Sequence, residues 1–345
     1  MLTLVHCTTA SPCRITKLHT LLKCLYSNKV LPDDSVMKVF DRTAKLYQKE
    51  RAAQDPEVSL YDYLKDEVGH RLCDRVFDIK RKFTKVVDLG CGRGYVSKHL
   101  DSEAVEEVIQ CDISPTFLSQ AASPESAVKV SKLVVDEEDL PFEENSIDLF
   151  VSSLSLHWVN NLPGTFSQIM KCLKNDGVFL AAFFGGDTLY ELRSALQLAD
   201  LERNGGVSPH ISPFVKVQDI GSLLNRAGFT MLTIDTEEIV IGYPSMFELM
   251  FDVKGMGENN AARRRNLHLS KETMFAAASI YNELYGEDDK IPASFEIIYL
   301  IGWKPDKSQP KPLARGSQEF SLKDVHKIDE IVAKKGKIPS TSDTD

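Results

Sequence analysis

No run of 18 consecutive apolar residues occurs anywhere in this chain of 345, so no segment is written to cross a bilayer as a helix. There is no CxxC pair either. The seven cysteines, at positions 7, 13, 24, 73, 91, 111 and 172, are odd in number and scattered, which argues against a disulfide framework or a zinc ribbon. They read as small buried thiols of a reducing compartment. Basic side chains are outnumbered 41 to 50, for a net charge of −9, which argues against the broad phosphate-backbone binding that relies on clustered Lys and Arg. Nucleic acid is therefore not expected as a partner. With only 19 Gly and 15 Pro the chain is neither fibrous nor of low complexity, and 43% hydrophobic residues allow one large globular domain or two modest ones.

Acidic residues are absent from one stretch in particular. Residues 1–32 contain no Asp or Glu, yet carry Arg14, Lys17, Lys23 and Lys29 among Ser, Thr and apolar side chains. That composition suits a mitochondrial transit peptide, assigned to residues 1–35, and lacks the continuous apolar core of a secretory signal. At the other end, residues 304–345 are polar, hold Pro305, Pro310, Pro312 and Pro339, and read as a mobile tail. The folded body is expected over 38–303.

Within it a helical pattern opens at Leu60, Tyr63, Leu64, Val68, Leu72, Val76 and Phe77. Short apolar runs follow at Lys85–Leu89, Val105–Cys111, Lys132–Val135, Ile147–Ser153 and Gly177–Phe183, separated by lengths that leave room for crossover helices. The expected architecture is an α/β doubly wound sheet of the Rossmann-like kind. Later segments read as helices over 188–203, 217–227, 244–254 and 270–285 and as strands over 231–241 and 295–303. They predict the last sheet strands with a helical lid inserted at about 188–216 and 244–290.

The most informative segment is Val87-Asp88-Leu89-Gly90-Cys91-Gly92-Arg93-Gly94-Tyr95, a strand running into a glycine turn and then a predicted helix. A dinucleotide fingerprint would need glycine where Tyr95 stands, and a phosphate-binding P-loop would need G-K-[ST]. The turn instead suits the amino-acid part of S-adenosyl-L-methionine, whose carboxylate meets backbone N–H groups at the helix start. Asp112 ends the second run, where a carboxylate accepts ribose hydroxyls, and Asp136 follows the third, where the chain would pass the adenine. Acids and glycines at three successive strand ends point to one ligand at the carboxyl edge of the sheet. The expected cofactor-binding residues are Asp88, Gly90, Cys91, Gly92, Gly94, Asp112, Ile113, Asp136, Glu137 and Ser153.

These residues make the chain resemble a class I methyltransferase, and three later motifs narrow the likeness. Ser152–Val159, Gly185-Gly186-Asp187-Thr188-Leu189-Tyr190-Glu191-Leu192-Arg193 and Ser208–Phe214, with Phe40-Asp41-Arg42 and Tyr61-Asp62-Tyr63-Leu64, resemble the mitochondrial complex I assembly factor 5 family of methyltransferase-like arginine hydroxylases, over roughly 38–317. The His-Trp and Glu-Leu-Arg parts are also similar to the carrier-protein O-methyltransferases of biotin synthesis. The resemblance implies a matrix protein peripheral to the inner membrane, acting with other assembly factors on an arginine of an iron–sulfur subunit of complex I. It leaves two alternatives: methyl transfer to a protein or carrier-protein carboxylate, and a non-catalytic assembly chaperone.

On the substrate side His157 and Trp158 follow the fourth strand, where His could serve as base and Trp could stack on a guanidinium. A core packing pair is the competing explanation. Asp187, Tyr190 and Glu191 stand after the fifth strand, as a carboxylate clamp for a substrate arginine or as helix caps. His210 is a weaker candidate, and Arg263-Arg264-Arg265 reads as a solvated face. His99-Leu100-Asp101 has the spacing of an iron facial triad but falls late in a predicted helix, so no metal ligands are expected.

Overall fold

A computed structural model of the chain describes residues 38–310. The transit peptide assigned to 1–35 lies outside the described residues, as does the tail beyond 310. Two compact units divide between Lys304 and Pro305. In the second, a short turn has Ser308 donating from its N–H and hydroxyl to Asp306.

In the first unit, helix α1 (Arg42–Ala53) starts at Asp41, whose carboxylate accepts the Ala44 N–H at 2.9 Å. A 3-10 turn (Val58–Tyr61) leads to α2 (Tyr63–Phe77), which buries Leu64, Val68, Leu72 and Val76 on one stripe, as the spacing predicted, whereas Leu60 falls in the 3-10 turn and Leu60, Tyr63 and Phe77 are exposed. The remaining elements are β1 (Phe83–Leu89), β2 (Val105–Asp112), α3 (Pro115–Gln120), β3 (Lys129–Val134), β4 (Ile147–Ser153), α4 (Leu162–Cys172), β5 (Leu173–Phe184), α5 (Tyr190–Asn204), α6 (Val217–Ala227), β6 (Thr230–Tyr243), α7 (Met246–Gly255), α8 (Lys271–Tyr285) and β7 (Ile291–Trp303).

The seven strands form one sheet in the order β3-β2-β1-β4-β5-β7-β6. Strands β1 to β5 run parallel, while β7 is antiparallel to both of its neighbours. Alternating side chains feed two cores: Val86, Leu149, Val151 and Leu180 face α2 and α5, while Val87, Phe150, Phe179 and Phe183 face α4 and α6. The order reverses at β1, which lies between β2 and β4, and the crevice above that reversal is where such sheets bind ligands.

Two expected crossover helices are replaced by shorter structure. After the glycine turn the chain makes only a 3-10 turn over Ser97–His99, because three glycines of positive φ break any continuous helix and the buried Ser97 hydroxyl is held by Asp88. His99 therefore ends a turn, packed edge-on to His70 at 5.1 Å, and Asp101 accepts two backbone N–H groups. The helix start that was to meet a ligand carboxylate is absent from this segment. Between β3 and β4 the connection is a turn closed by an Asp136–Asp139 bridge and followed by Pro141.

Candidate functional site

The site is built on the ends of β1, β2 and β4. Gly90 follows β1 with φ of +74°, and its N–H bonds the Cys111 carbonyl of β2 at 2.8 Å. A Cβ there would lie 2.2 Å from the Ser155 hydroxyl and 3.3 Å from a Glu137 oxygen, so only glycine fits between β1 and the loop after β4. Asp112 ends β2, wholly buried, and accepts the N–H groups of Gly92 (2.9 Å) and Ser114 (2.8 Å). Behind the turn, Cys91 packs on Leu118 and Ala121, and burial pushes its thiol well above the ordinary range. Asp88 is buried too, and burial raises its carboxyl to about 7 although Ser97 donates to it. Ile113 is buried beside Asp112.

Helix α1 crosses this edge and brings cations to it. Arg42, Lys45 and Lys49 recur at helical spacing on one face, where an amphipathic helix would carry apolar residues. Arg42 pairs with Asp136 at 2.9 Å and with Glu137; Lys49 pairs with Asp112 at 3.0 Å; Lys45 pairs with Glu258 at 2.7 Å. Burial alone would raise Glu137, yet the charges of Arg42 and Lys49 overcome it and hold the carboxyl near 2. Glu137 also accepts the Ser155 hydroxyl at 2.8 Å. Lys49 is raised, since Asp112 and Glu137 outweigh its own burial.

His157 and Trp158 occupy a 3-10 turn after β4, both buried, within an aromatic cluster with Phe184, Phe214 and Phe40. The core-packing account is thus realised, with two additions. Neither ring nitrogen of His157 has a hydrogen-bond partner, and burial pushes its pKa down to about 4. Nearby stands Glu258, whose carboxylate takes Lys45, Lys65 (2.7 Å) and the Trp158 indole N–H (2.8 Å), and lies 3.9 Å from His157 Nε2. Burial opposes ionisation of Glu258, but Lys45 and Lys65 hold it well below the usual carboxylate range.

Asp187, Tyr190 and Glu191 are not brought to this pair. Glu191 is buried against β7, accepting the Ser294 hydroxyl at 2.6 Å. Tyr190 is exposed and meets Tyr285 edge-on. Asp187 borders a separate hollow with Glu237, Glu238 and Glu296, and it does not cap α5, whose N-cap position is Leu189. His210 pairs with Asp200 at 2.7 Å, and Arg265 is tied to the Ala262 carbonyl and Asp41. The sequence reading missed Lys45, Lys49, Lys65 and Glu258. The cation spacing in α1 was a visible signal for the first two; Glu258, in a loop a hundred residues beyond Trp158, gave none.

The chemistry of the edge suits an adenosylated amino acid through the Asp112 carboxylate and a buried Ser153 hydroxyl without a partner that lines the same hollow, while the N–H groups of Gly90, Gly92 and Gly94 are spent inside the turn on Cys111, Asp112 and Cys91. The space is another matter. The hollow between Gly90, Gly92, Tyr95, Phe117 and Ser153 measures about 10 Å³, with Lys49, Lys65 and Glu258 in its wall. Small-molecule pockets run to roughly 300–1,000 Å³. The polar groups fit such a cofactor, and the hollow must widen for it to enter. Among the described residues no three His, Cys, Asp or Glu side chains converge as metal ligands.

Comparison with known proteins bears on the fold and the family. A family model described as a methyltransferase domain matches residues 87–181, which run from β1 into β5. The chain is 52% identical to the human arginine-hydroxylase NDUFAF5, mitochondrial, over 86% of each chain. It is 43% identical to the protein of that name from Dictyostelium discoideum, over 84% of this chain and 71% of the other. A malonyl-[acyl-carrier protein] O-methyltransferase of Methylovorus sp. is 32% identical, over 78% and 88%. With the sheet order above, these likenesses identify a class I methyltransferase fold, and the chain belongs to the family of the mitochondrial arginine-hydroxylase NDUFAF5.

Proposed function

We propose that this chain is a protein-arginine hydroxylase of the mitochondrial matrix, peripheral to the inner membrane, acting on an iron–sulfur subunit of complex I with other assembly factors. The observation that carries the reading is 52% identity to a named arginine-hydroxylase along most of both chains. The acid-free, basic stretch 1–32 supports import, and among the described residues no helix is long and apolar enough to cross a membrane.

S-adenosyl-L-methionine is the proposed occupant of the Gly90–Gly94 turn. Asp112 would accept its ribose hydroxyls and the partnerless Ser153 hydroxyl would meet its polar atoms; Asp88 holds Ser97 after the turn, Cys91 anchors the turn on Leu118 and Ala121, Ile113 is buried beside Asp112, and Glu137 and Asp136 border the edge through Arg42. When bound, the cofactor supplies a methyl group on a sulfonium. His157 is kept neutral by burial, which lowers its pKa to about 4 and makes its imidazole a weak base in this site. Hydroxylation exchanges a bond to hydrogen for a bond to oxygen and so requires a two-electron oxidant, while the protein's part is binding and orientation.

The second reading, methyl transfer, is favoured by the methyltransferase-domain match and the carrier-protein relatives. Mass analysis of an arginine-bearing peptide from the iron–sulfur subunit, incubated with protein, cofactor, dioxygen and a two-electron reductant, separates them: one oxygen atom enters the peptide and the other leaves as water. Gain of one oxygen supports hydroxylation, gain of one methylene supports methyl transfer, and an unchanged peptide overturns both in favour of a chaperone.

A further inference from the structure

Lys45 ends in surroundings that suit a ligand better than a core lysine. Its ammonium is buried 3.5 Å from the centroid of the Trp158 ring and donates to the Gly257 carbonyl and to Glu258 Oε2, both at 2.7 Å. Burial lowers the amine from 10.5 to about 7 against the pull of Glu258, so the ion is held there at a cost. An indole face, a carboxylate and a backbone acceptor around one point are what recognises an organic cation. A guanidinium uses the set more fully than an ammonium, because its plane stacks on the indole while its in-plane donors reach the oxygens.

Two further observations distinguish this slot from an ordinary buried ion pair. Glu258 does not depend on Lys45, since Lys65 holds its other oxygen at 2.7 Å and Trp158 donates to the shared one. The carboxylate also stands at a junction: it borders the hollow beside the glycine turn and, in addition, a cavity of about 140 Å³ under the lid, lined by Leu192, Leu196, Phe214, Met250 and Leu269. The fully buried, partnerless His157 Nε2 lies 3.9 Å from the same carboxylate.

We infer that Trp158 and Glu258 form the receptor for the substrate's guanidinium, and that Lys45 fills it as an internal stand-in until the substrate displaces it. The identity of the cation as an arginine rests on the hydroxylase reading. The slot itself rests on the geometry.

Trp158 and Trp303 are the only tryptophans, so Trp303→Phe in the full chain leaves Trp158 as sole reporter. The probe is N-acetyl-arginine amide, with the neutral N-acetyl-citrulline amide as control. In the Lys45→Ala variant the arginine amide should change Trp158 emission saturably, with Kd at least tenfold below that of the parent. Lys45→Met, which refills the slot without charge, should bind no better than the parent, and Glu258→Gln should abolish the response. An equal response to citrulline amide, a response that survives Glu258→Gln, or a Lys45→Ala titration no tighter than the parent's overturns the slot. Should Lys45→Ala fail to fold, the unmutated protein decides: saturating arginine amide should raise reductive methylation of Lys45 severalfold over the citrulline control, and an unchanged rate overturns the proposal. Peptide mass is read separately. A Trp158 response without oxygen gain on the peptide overturns the hydroxylase reading and spares the slot; oxygen gain without a Trp158 response does the reverse.

Discussion

His157 shows at the scale of one side chain how burial without a partner becomes a measurable liability. Its pKa falls from 6.5 to about 4 through desolvation, with Glu258 opposing and Lys45 and Lys65 adding to the shift. Between those values the unfolded chain binds a proton that the folded chain refuses, so stability declines as pH drops from 6.5 towards 4, by about 3 kcal/mol in full. Glu137 and Glu258, both held low, lose stability further down, as pH falls below about 4.5, whereas Asp88, raised to about 7, loses it as pH rises towards 7. The clean signature is therefore a difference. The urea midpoint of His157→Phe should gain steadily on the parent's as pH falls from 6.5 to 4.5, and parallel curves would contradict a neutral, partnerless imidazole. The His-Trp pair was legible in the sequence because it follows a strand. Its chemistry was not, since Glu258 and Lys45 come from a distant loop and a helix that no local pattern joins.

Among elements, the glycine turn and α1 fared differently under sequence reading. The turn was recognisable because positive φ demands glycine, but the helix expected after it was misjudged: the same glycines prevent one. Gly90→Ala should lower stability by about 2–4 kcal/mol, combining left-handed strain with overpacking against Ser155. Ser155→Gly in the same chain should restore part of that loss, and simple additivity in urea denaturation would show that the clash is relieved elsewhere. For α1 the controlling fact is that its cations neutralise the acids expected to receive a ligand. Lys49→Met should cost the ligand-free protein roughly 3 kcal/mol by leaving Asp112 buried without its cation, yet enlarge the thermal shift produced by S-adenosyl-L-methionine. An identical shift in both proteins would mean that Lys49 does not stand in the cofactor's way.

The first unit, taken whole, is two cores on either side of one sheet, and β1, β2, β4 and β5 were legible as short apolar runs because both their faces are covered, whereas β3 is a largely exposed edge strand. Saturation with S-adenosyl-L-methionine at 100 times its Kd should raise the unfolding free energy by roughly 2.7 kcal/mol, and Asp112→Asn should remove most of that gain; absence of any gain in the parent would exclude the glycine turn as its site. What periodicity did not reveal is strand order, for nothing local says that β7 slides between β5 and β6. That insertion bears on biogenesis. The last strand among the described residues is an interior one, so a polypeptide emerging end-first from a ribosome or an import pore must keep β5 and β6 apart with raw edges until residues 291–303 arrive. A premature stop anywhere upstream of Ile291 would then yield a self-adhesive fragment, one that quality control must clear, instead of a slightly weakened enzyme.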